Sequence, residues 1–158
     1  MRLAVIDCGT NTFNLIIVEL SEGIAGYKKL FATRIPVKLG ENAINEGFIA
    51  EVPFNRGVQA IKNYKLICEE EGVDRILAFA TSAIRDAANG RDFVKAVNDQ
   101  SSIAIDIIDG NREAELIYYG IREAVELGNH TSLIMDIGGG SNEFILANRD
   151  QLFWKQSF

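Results

Sequence analysis

Asp136-Ile137-Gly138-Gly139-Gly140-Ser141-Asn142-Glu143 lies between two apolar runs, Ser132-Leu133-Ile134-Met135 before it and Phe144-Ile145-Leu146-Ala147 after it. The order spelled is strand, acid, glycine-rich turn, strand. Three consecutive glycines cannot hold a packed element, but they let backbone N–H groups turn together and approach an anion closely. Asp136 and Glu143, one at each end, bring carboxylate oxygens that could hold a hard metal ion beside that anion. A plain β-hairpin with a glycine-rich loop accounts for the same residues, because short glycine motifs recur by chance.

A second copy of the pattern opens the chain. Leu3-Ala4-Val5-Ile6-Asp7-Cys8-Gly9-Thr10-Asn11-Thr12-Phe13 again reads apolar strand, Asp, one residue, Gly, polar turn, apolar strand, with a slightly shorter turn. A repeat of such long period points to duplicated lobes rather than a solenoid, whose units are shorter. Related lobes would set their two Asp-Gly turns facing each other across a cleft, both offering N–H groups to a phosphate chain. Gly9, Thr10, Asn11 and Thr12 in the first turn, and Gly138, Gly139, Gly140 and Ser141 in the second, are the candidate phosphate-binding residues. The hydroxyl and amide side chains could equally satisfy the turn backbone.

Between the two copies the elements alternate. Leu3 to Ile6 reads as a buried strand, Phe13 to Leu20 as a second, with Ser21 to Gly26 as a turn, and Tyr27 to Leu39 as a third, with Pro36 marking an edge or an irregularity. Residues 40–50 read as a loop. A helix from about Pro53 to Glu71 puts Phe54, Val58, Ile61, Tyr64 and Cys68 on one face and stops at Gly72. Arg75 to Ala80 is a strand, and Thr81 or Ser82 can cap the helix after it. Asn89-Gly90 interrupts that helix, and a short one follows through Asn98. A strand at Ile103 to Ile108, a helix from about Asn111 to Leu127, strands at 131–137 and 143–148, and the start of another at Gln151 complete the chain. The order β-β-β-α-β-α-β-α-β-β-β predicts an α/β protein in which a mixed sheet is flanked by helices. The expected division is a first lobe over 1–127, including the connecting helix, and the beginning of a second over 128–158.

The 158 residues, 47% hydrophobic and 24% charged, are ordinary for a globular protein and suffice for one sizeable core, or one domain and part of another. A net charge of −6 argues against broad nucleic-acid binding and against an anionic membrane surface, without excluding an anionic ligand held locally. Cys8 and Cys68 form neither a metal-ligand spacing nor a disulfide framework. The N-terminal apolar run is too short for a signal peptide, and no window approaches a membrane span. A reduced, cytoplasmic protein is expected.

Two further residues stand out. Glu113, at the start of its helix, shares a stripe with Ile117, Gly120, Ile121 and Ala124, while Glu115, Arg122 and Glu126 fall on the opposite, solvated face. Partial burial would raise the Glu113 pKa and suit it to general-base work, or the carboxylate merely complements the helix dipole. Arg85 follows Thr81-Ser82-Ala83-Ile84 in the first turn of a helix after a strand. Its guanidinium fork suits phosphoryl oxygens, or it pairs with Asp86 or Asp92. Cys8 reads as a small buried residue rather than a nucleophile, since no histidine can be assigned to activate it, and His130 reads as an exposed turn residue.

Four segments together resemble the exopolyphosphatase / guanosine pentaphosphate phosphohydrolase (Ppx/GppA) family of the actin-like ATPase-fold superfamily. They are Asp7-Cys8-Gly9-Thr10-Asn11-Thr12-Phe13, Ala80-Thr81-Ser82-Ala83-Ile84-Arg85, Gly110-Asn111-Arg112-Glu113-Ala114-Glu115-Leu116-Ile117, and Asp136 to Glu143. The resemblance implies two ribonuclease-H-like lobes with the active site between them. It implies Mg²⁺-dependent removal of terminal phosphate from polyphosphate or guanosine pentaphosphate. It makes Glu113 the catalytic glutamate, Arg85 the conserved-motif arginine, Asp136 and Glu143 the metal- and water-associated acids, and Asp7 with its turn the first phosphate loop. The chain departs from the family's pattern in having Arg112-Glu113 where two adjacent glutamates are usual, and Asn142 where threonine is common. It also stops at Phe158, inside the expected second lobe, so residues 1–158 alone are expected to be a poor catalyst.

The implied reaction is in-line attack of water on a terminal phosphorus, with Glu113 as general base and Arg85 offsetting charge. The partners expected are the phosphorylated substrate, with no nucleic acid and no membrane, and the reading accommodates a homodimer. An actin-like kinase or ATPase would use the same phosphate turns, and a non-catalytic sensor of an alarmone or polyphosphate would bind without releasing phosphate.

Overall fold

The computed structural model describes residues 1–21, 26–41 and 46–158. The turn expected at Ser21 to Gly26 and the loop expected at 40–50 therefore lie partly outside the described residues. The chain packs as two compact units, Met1–Ile107 and Ile108–Phe158.

In the first unit, β1 (Arg2–Cys8), β2 (Thr12–Glu19) and β3 (Lys28–Pro36) form an antiparallel meander. β4 (Arg75–Ala80) then joins parallel to β1, and β5 (Ile105–Ile107) parallel to β4. The order β3-β2-β1-β4-β5 gives the mixed five-stranded sheet of a ribonuclease-H-like lobe. Pro36 ends β3, an edge strand, where its missing N–H costs no ladder bond.

Alternation decides which face is covered. Ala4, Ile6 and Cys8 of β1 and Phe13, Leu15 and Ile17 of β2 are buried, whereas Asp7 and Asn14 are exposed. Onto the buried side chains pack α1 (Glu51–Glu70) and α3 (Gly90–Ser101). α1 contributes the predicted stripe, with Val58, Ile61, Tyr64 and Cys68 buried and Phe54 packed at its margin. The helix ends in a Schellman turn: the Val73 N–H donates to Cys68 O at 2.9 Å and the Gly72 N–H to Glu69 O at 3.1 Å, with Gly72 at φ +62°. Phe93 of α3 meets Phe13 and Phe54 edge-on, at centroid distances of 6.2 and 5.2 Å. Between the helices, the short α2 (Ser82–Arg85) follows β4 directly.

In the second unit, α4 (Gly110–Ala124) covers one face of a three-stranded antiparallel sheet of β6 (Ser132–Ile137), β7 (Asn142–Ala147) and β8 (Leu152–Ser157). Asp109 caps α4 by accepting the Arg112 N–H at 2.8 Å. The helix stops at Ala124 rather than Leu127, because Val125 is extended (φ −129°, ψ 135°), and Leu127 turns back into the core. Its packed stripe is Ala114, Ile117, Tyr118 and Ile121, resting on Ile134, Ile145 and Ala147. Gly120 and Ala124, expected on that stripe, are exposed. The register of the stripe is set by Tyr118, whose hydroxyl donates to Asn148 O at 3.1 Å. α4 packs with β7 and β8 in the compact unit that begins at Ile108.

One buried polar contact ties the first core to the strand leaving the first turn: the Tyr64 hydroxyl donates to Phe13 O at 2.6 Å. Burial pushes its pKa from 10.0 up to about 12. Tyr64→Phe should cost about 1 kcal/mol at pH 7, the usual net value of such a bond. A folded-state pKa above the unfolded one gives stability that is present below pH 10 and lost as pH rises toward 12. Urea unfolding across that interval should therefore show wild type losing its advantage over Tyr64→Phe. A constant gap between pH 9 and 12 would contradict the assignment.

Candidate functional site

The two Asp-Gly turns share one construction. In the first hairpin Asp7 is registered with Asn14 and Cys8 with Phe13; in the second, Asp136 with Glu143 and Ile137 with Asn142. Both turns therefore span the same length, and the expectation of a longer second turn is corrected. The positional equivalent of Glu143 is Asn14, not a residue of the first turn. In each turn a glycine stands two residues after the Asp because a side chain there would strike a carbonyl. A Cβ on Gly9 would lie 3.0 Å from Thr12 O, and one on Gly138 would lie 2.9 Å from Ser141 O.

The first turn is clamped from below. Val37 and Lys38 both donate their N–H to Asn11 O at 2.9 Å, and Leu39 donates to Thr10 O at 2.7 Å. Thr10 is buried, its Oγ1 lying 3.2 Å from the Ser82 Oγ. That contact links the first turn to the segment carrying Arg85. Asn11 is exposed and Thr12, opening β2, is half-buried. Asp7 is exposed at the end of β1 and accepts from Asn14 Nδ2 at 3.0 Å. Between Asp7 and Gly9, the Cys8 thiol is fully buried. Burial first, and then the Asp7 charge, push its pKa well above the usual thiol value, so it stays protonated and is no nucleophile.

Arg85 ends α2 rather than sitting in the first turn of a longer helix. Its side chain is only 21% exposed, and Nε lies 3.2 Å from Asp86 Oδ1. Thr81 is the N-cap residue of α2 but makes no capping side-chain bond, and Ser82 uses its hydroxyl on Thr10 instead.

In the second turn, the Gly138 N–H donates to Ser141 O at 3.0 Å. Gly139 and Gly140 are exposed and Ser141 is buried. Asp136 is exposed, but Glu143 opposite it is 1% exposed and accepts from Ser157 Oγ at 2.7 Å. Ser157 is held close: a Cβ on Gly110 would fall 2.4 Å from the Ser157 Cβ. Ser157 escaped the sequence reading because its role depends on the pairing of β8 with β7, where it stands opposite Glu143.

Glu113 lies in the first turn of α4, half-buried beside the packed stripe, its N–H donating to Asp109 O at 2.9 Å. Glu115 is paired, bonded by Lys155 and by Arg112 Nη1, the latter at 3.1 Å. Lys155 first, then Arg112, hold its carboxyl below the usual range. The charge that Arg112 brings beside Glu113 is thus shared with Glu115. Arg122 lies over the Tyr118 and Tyr119 rings at 5.5 and 5.4 Å, and His130 is exposed. Among the described residues, no cluster of three or more His, Cys, Asp or Glu side chains is placed to hold a metal ion, and no helix is long and apolar enough to cross a membrane.

The Ppx/GppA phosphatase family profile matches residues 16–157. A crystal structure of an exopolyphosphatase from Cytophaga hutchinsonii is similar over all of this chain and 50% of its own, with 40% identity and a TM-score of 0.96. The bifunctional 3-dehydroquinate synthase/phosphatase of Fusobacterium nucleatum is 36% identical over 151 residues, covering 92% of this chain and 23% of its own. Exopolyphosphatase 1 of Mycobacterium bovis is 31% identical over 144 residues, covering 90% of this chain and 41% of its own. The chain thus spans half or less of each of these three proteins. With the repeated Asp-Gly turn, the ribonuclease-H-like sheet and this match along nearly its whole length, the chain belongs to the Ppx/GppA phosphatase family.

Proposed function

We propose that the protein is a phosphohydrolase releasing terminal phosphate from inorganic polyphosphate or guanosine pentaphosphate. The observation that carries this reading is the family match, which includes Arg85, Glu113, Asp136, Glu143 and the whole second turn. The first turn lies ahead of the matched span but repeats the second in register and in its close-packed glycine. Both turns would bind phosphate oxygens. A buried Thr10–Ser82 contact holds the first turn against the segment bearing Arg85, whose guanidinium would offset charge developing on the phosphoryl oxygens. Glu113 would take the proton from the attacking water, as a carboxylate held at a helix start beside a packed stripe.

Mg²⁺ fits the donor set of the second turn. Asp136 and Glu143 offer hard carboxylate oxygens from facing positions on β6 and β7. Mg²⁺ takes one or two carboxylates and completes its shell with phosphate oxygens and water, so it needs no all-protein cage. When bound it would offset charge on the phosphates and lower the barrier to their displacement. Ser157 would fix the Glu143 carboxylate in place through its 2.7 Å hydrogen bond.

The deciding assay is phosphate release by the full-length protein from polyphosphate, guanosine pentaphosphate and ATP, each with and without Mg²⁺. Release from polyphosphate or guanosine pentaphosphate, and not from ATP alone, is expected. Glu113→Gln should lower turnover about 10²–10⁴-fold with an unchanged melting temperature, and near-normal turnover would remove Glu113 from the mechanism. Chelation with EDTA should abolish release and added Mg²⁺ should restore it, with Asp136→Asn needing more Mg²⁺ for half-maximal rate. Undiminished release in EDTA would exclude the cation.

A further inference from the structure

Lys38 stands out on backbone grounds. Its φ of +50° places it in the left-handed region, where a side chain is disfavoured and glycine or asparagine is usual. The conformation is imposed from both sides: Val37 and Leu39 are buried in the core, and the N–H groups of all three residues donate to the carbonyls of Asn11 and Thr10. A glycine would do this backbone work with less strain, yet the position holds a lysine with an exposed side chain. An unfavourable conformation held by a bulky charged residue is a reason to look for a use of that residue.

Its surroundings suggest the use. Lys38 lines an open pocket of about 470 Å³ together with Asn11 and Thr12 of the first turn, Pro36, Gly40 and Glu41. Glu41 would repel an anion, but Arg56 Nη2 holds its carboxylate at 2.6 Å. Arg56 first, and Lys38 in addition, keep the Glu41 carboxyl below the usual range. Two cations and one anion leave this cluster one positive charge, in a chain whose net charge is −6. The backbone that clamps the first turn therefore also places a lysine beside it.

We propose that Lys38 is a substrate-binding residue, its ammonium holding a phosphate of the run cradled by Gly9 to Thr12 and so setting affinity for a linear phosphate chain. This rests on the phosphohydrolase reading above. An ammonium is a compact point charge that can follow successive phosphates of a flexible chain, where a guanidinium fork would fix one geometry. It contributes to binding in ground and transition states alike, so it acts on KM and leaves kcat unchanged.

The test compares full-length wild type with Lys38→Met, Lys38→Gly and Lys38→Arg on polyphosphate with Mg²⁺. KM should rise roughly three- to tenfold in the Met and Gly variants, in the range of a partly exposed charged contact. Their kcat should stay within about twofold of wild type, and the KM difference should shrink as salt is added. Lys38→Arg, which keeps the charge but not the compact ammonium, should recover only part of the lost affinity, with a KM between those of wild type and Lys38→Met. Lys38→Gly keeps the N–H bonded to Asn11 and relieves the backbone, so its melting temperature should equal or exceed that of wild type. A purely structural lysine predicts wild-type KM in Lys38→Gly, and that result, or a fall in kcat at unchanged KM, would overturn the proposal while polyphosphate hydrolysis by wild type stands. A wild type that neither binds nor hydrolyses polyphosphate would overturn the phosphohydrolase reading and this inference together.

Discussion

A glycine pressed against the carbonyl three residues ahead is the constraint on which both turns depend. At Gly9 and at Gly138 the added Cβ would come within about 3 Å of Thr12 O and Ser141 O, a contact that neither backbone could relieve without opening the turn. Neither glycine adopts a positive φ, so the requirement is closeness rather than conformational freedom. The two turns meet it with different supports. The second is closed by its own Gly138–Ser141 hydrogen bond, while the first leans on the strap from Val37 to Leu39. That strap forces Lys38 into the left-handed region and brings the 36–41 segment alongside the turn.

The core of the second unit lies on one face of its sheet. Ile108–Phe158 has α4 on one face of a three-stranded sheet, while Leu133, Met135 and Ile137 of β6 alternate outward on the other and remain exposed. Near Glu143, Ala114, Ile117, Tyr118 and Ile121 pack on Ile134, Ile145 and Ala147. The Ser157 hydrogen bond adds a directional restraint to that packing. An acid buried this completely, at an edge of a modest core, spends stability that a purely structural residue would not.

Much of this was legible in the sequence because it is local. The apolar strands on either side of the first turn, the α1 stripe ending at Gly72, and the acid–glycine turns each declare themselves within a dozen or so residues. What was not legible depends on register between distant strands. That the two turns are equal in length, and that Asn14 answers to Glu143, follows only from pairing Asp7 with Asn14 and Asp136 with Glu143. Ser157 reaches Glu143 through the β7–β8 pairing, and Ser82 meets Thr10 across a separation of 72 residues. The α4 stripe was misread by one position because Gly120 and Ala124 fit an apolar periodicity as well as Ala114 and Tyr118 do. Only the Tyr118 hydroxyl and its Asn148 acceptor break the tie.

The equivalence of Asn14 and Glu143 separates the two hairpins electrostatically. In the first hairpin a neutral amide faces Asp7 and donates to it at 3.0 Å, so that carboxylate already has a partner on its own sheet. In the second hairpin an acid faces an acid. Two carboxylates at facing positions of an antiparallel pair are mutually unfavourable, and the Ser157 hydroxyl can offset only part of that, by bonding one oxygen of Glu143. The same fold element thus carries an acid bonded by an amide in one copy and two acids at facing positions in the other. The proposed Mg²⁺ is assigned to the second turn for that reason, and the role proposed for the first turn, with Lys38 beside it, is to bind phosphate through N–H donors and an ammonium.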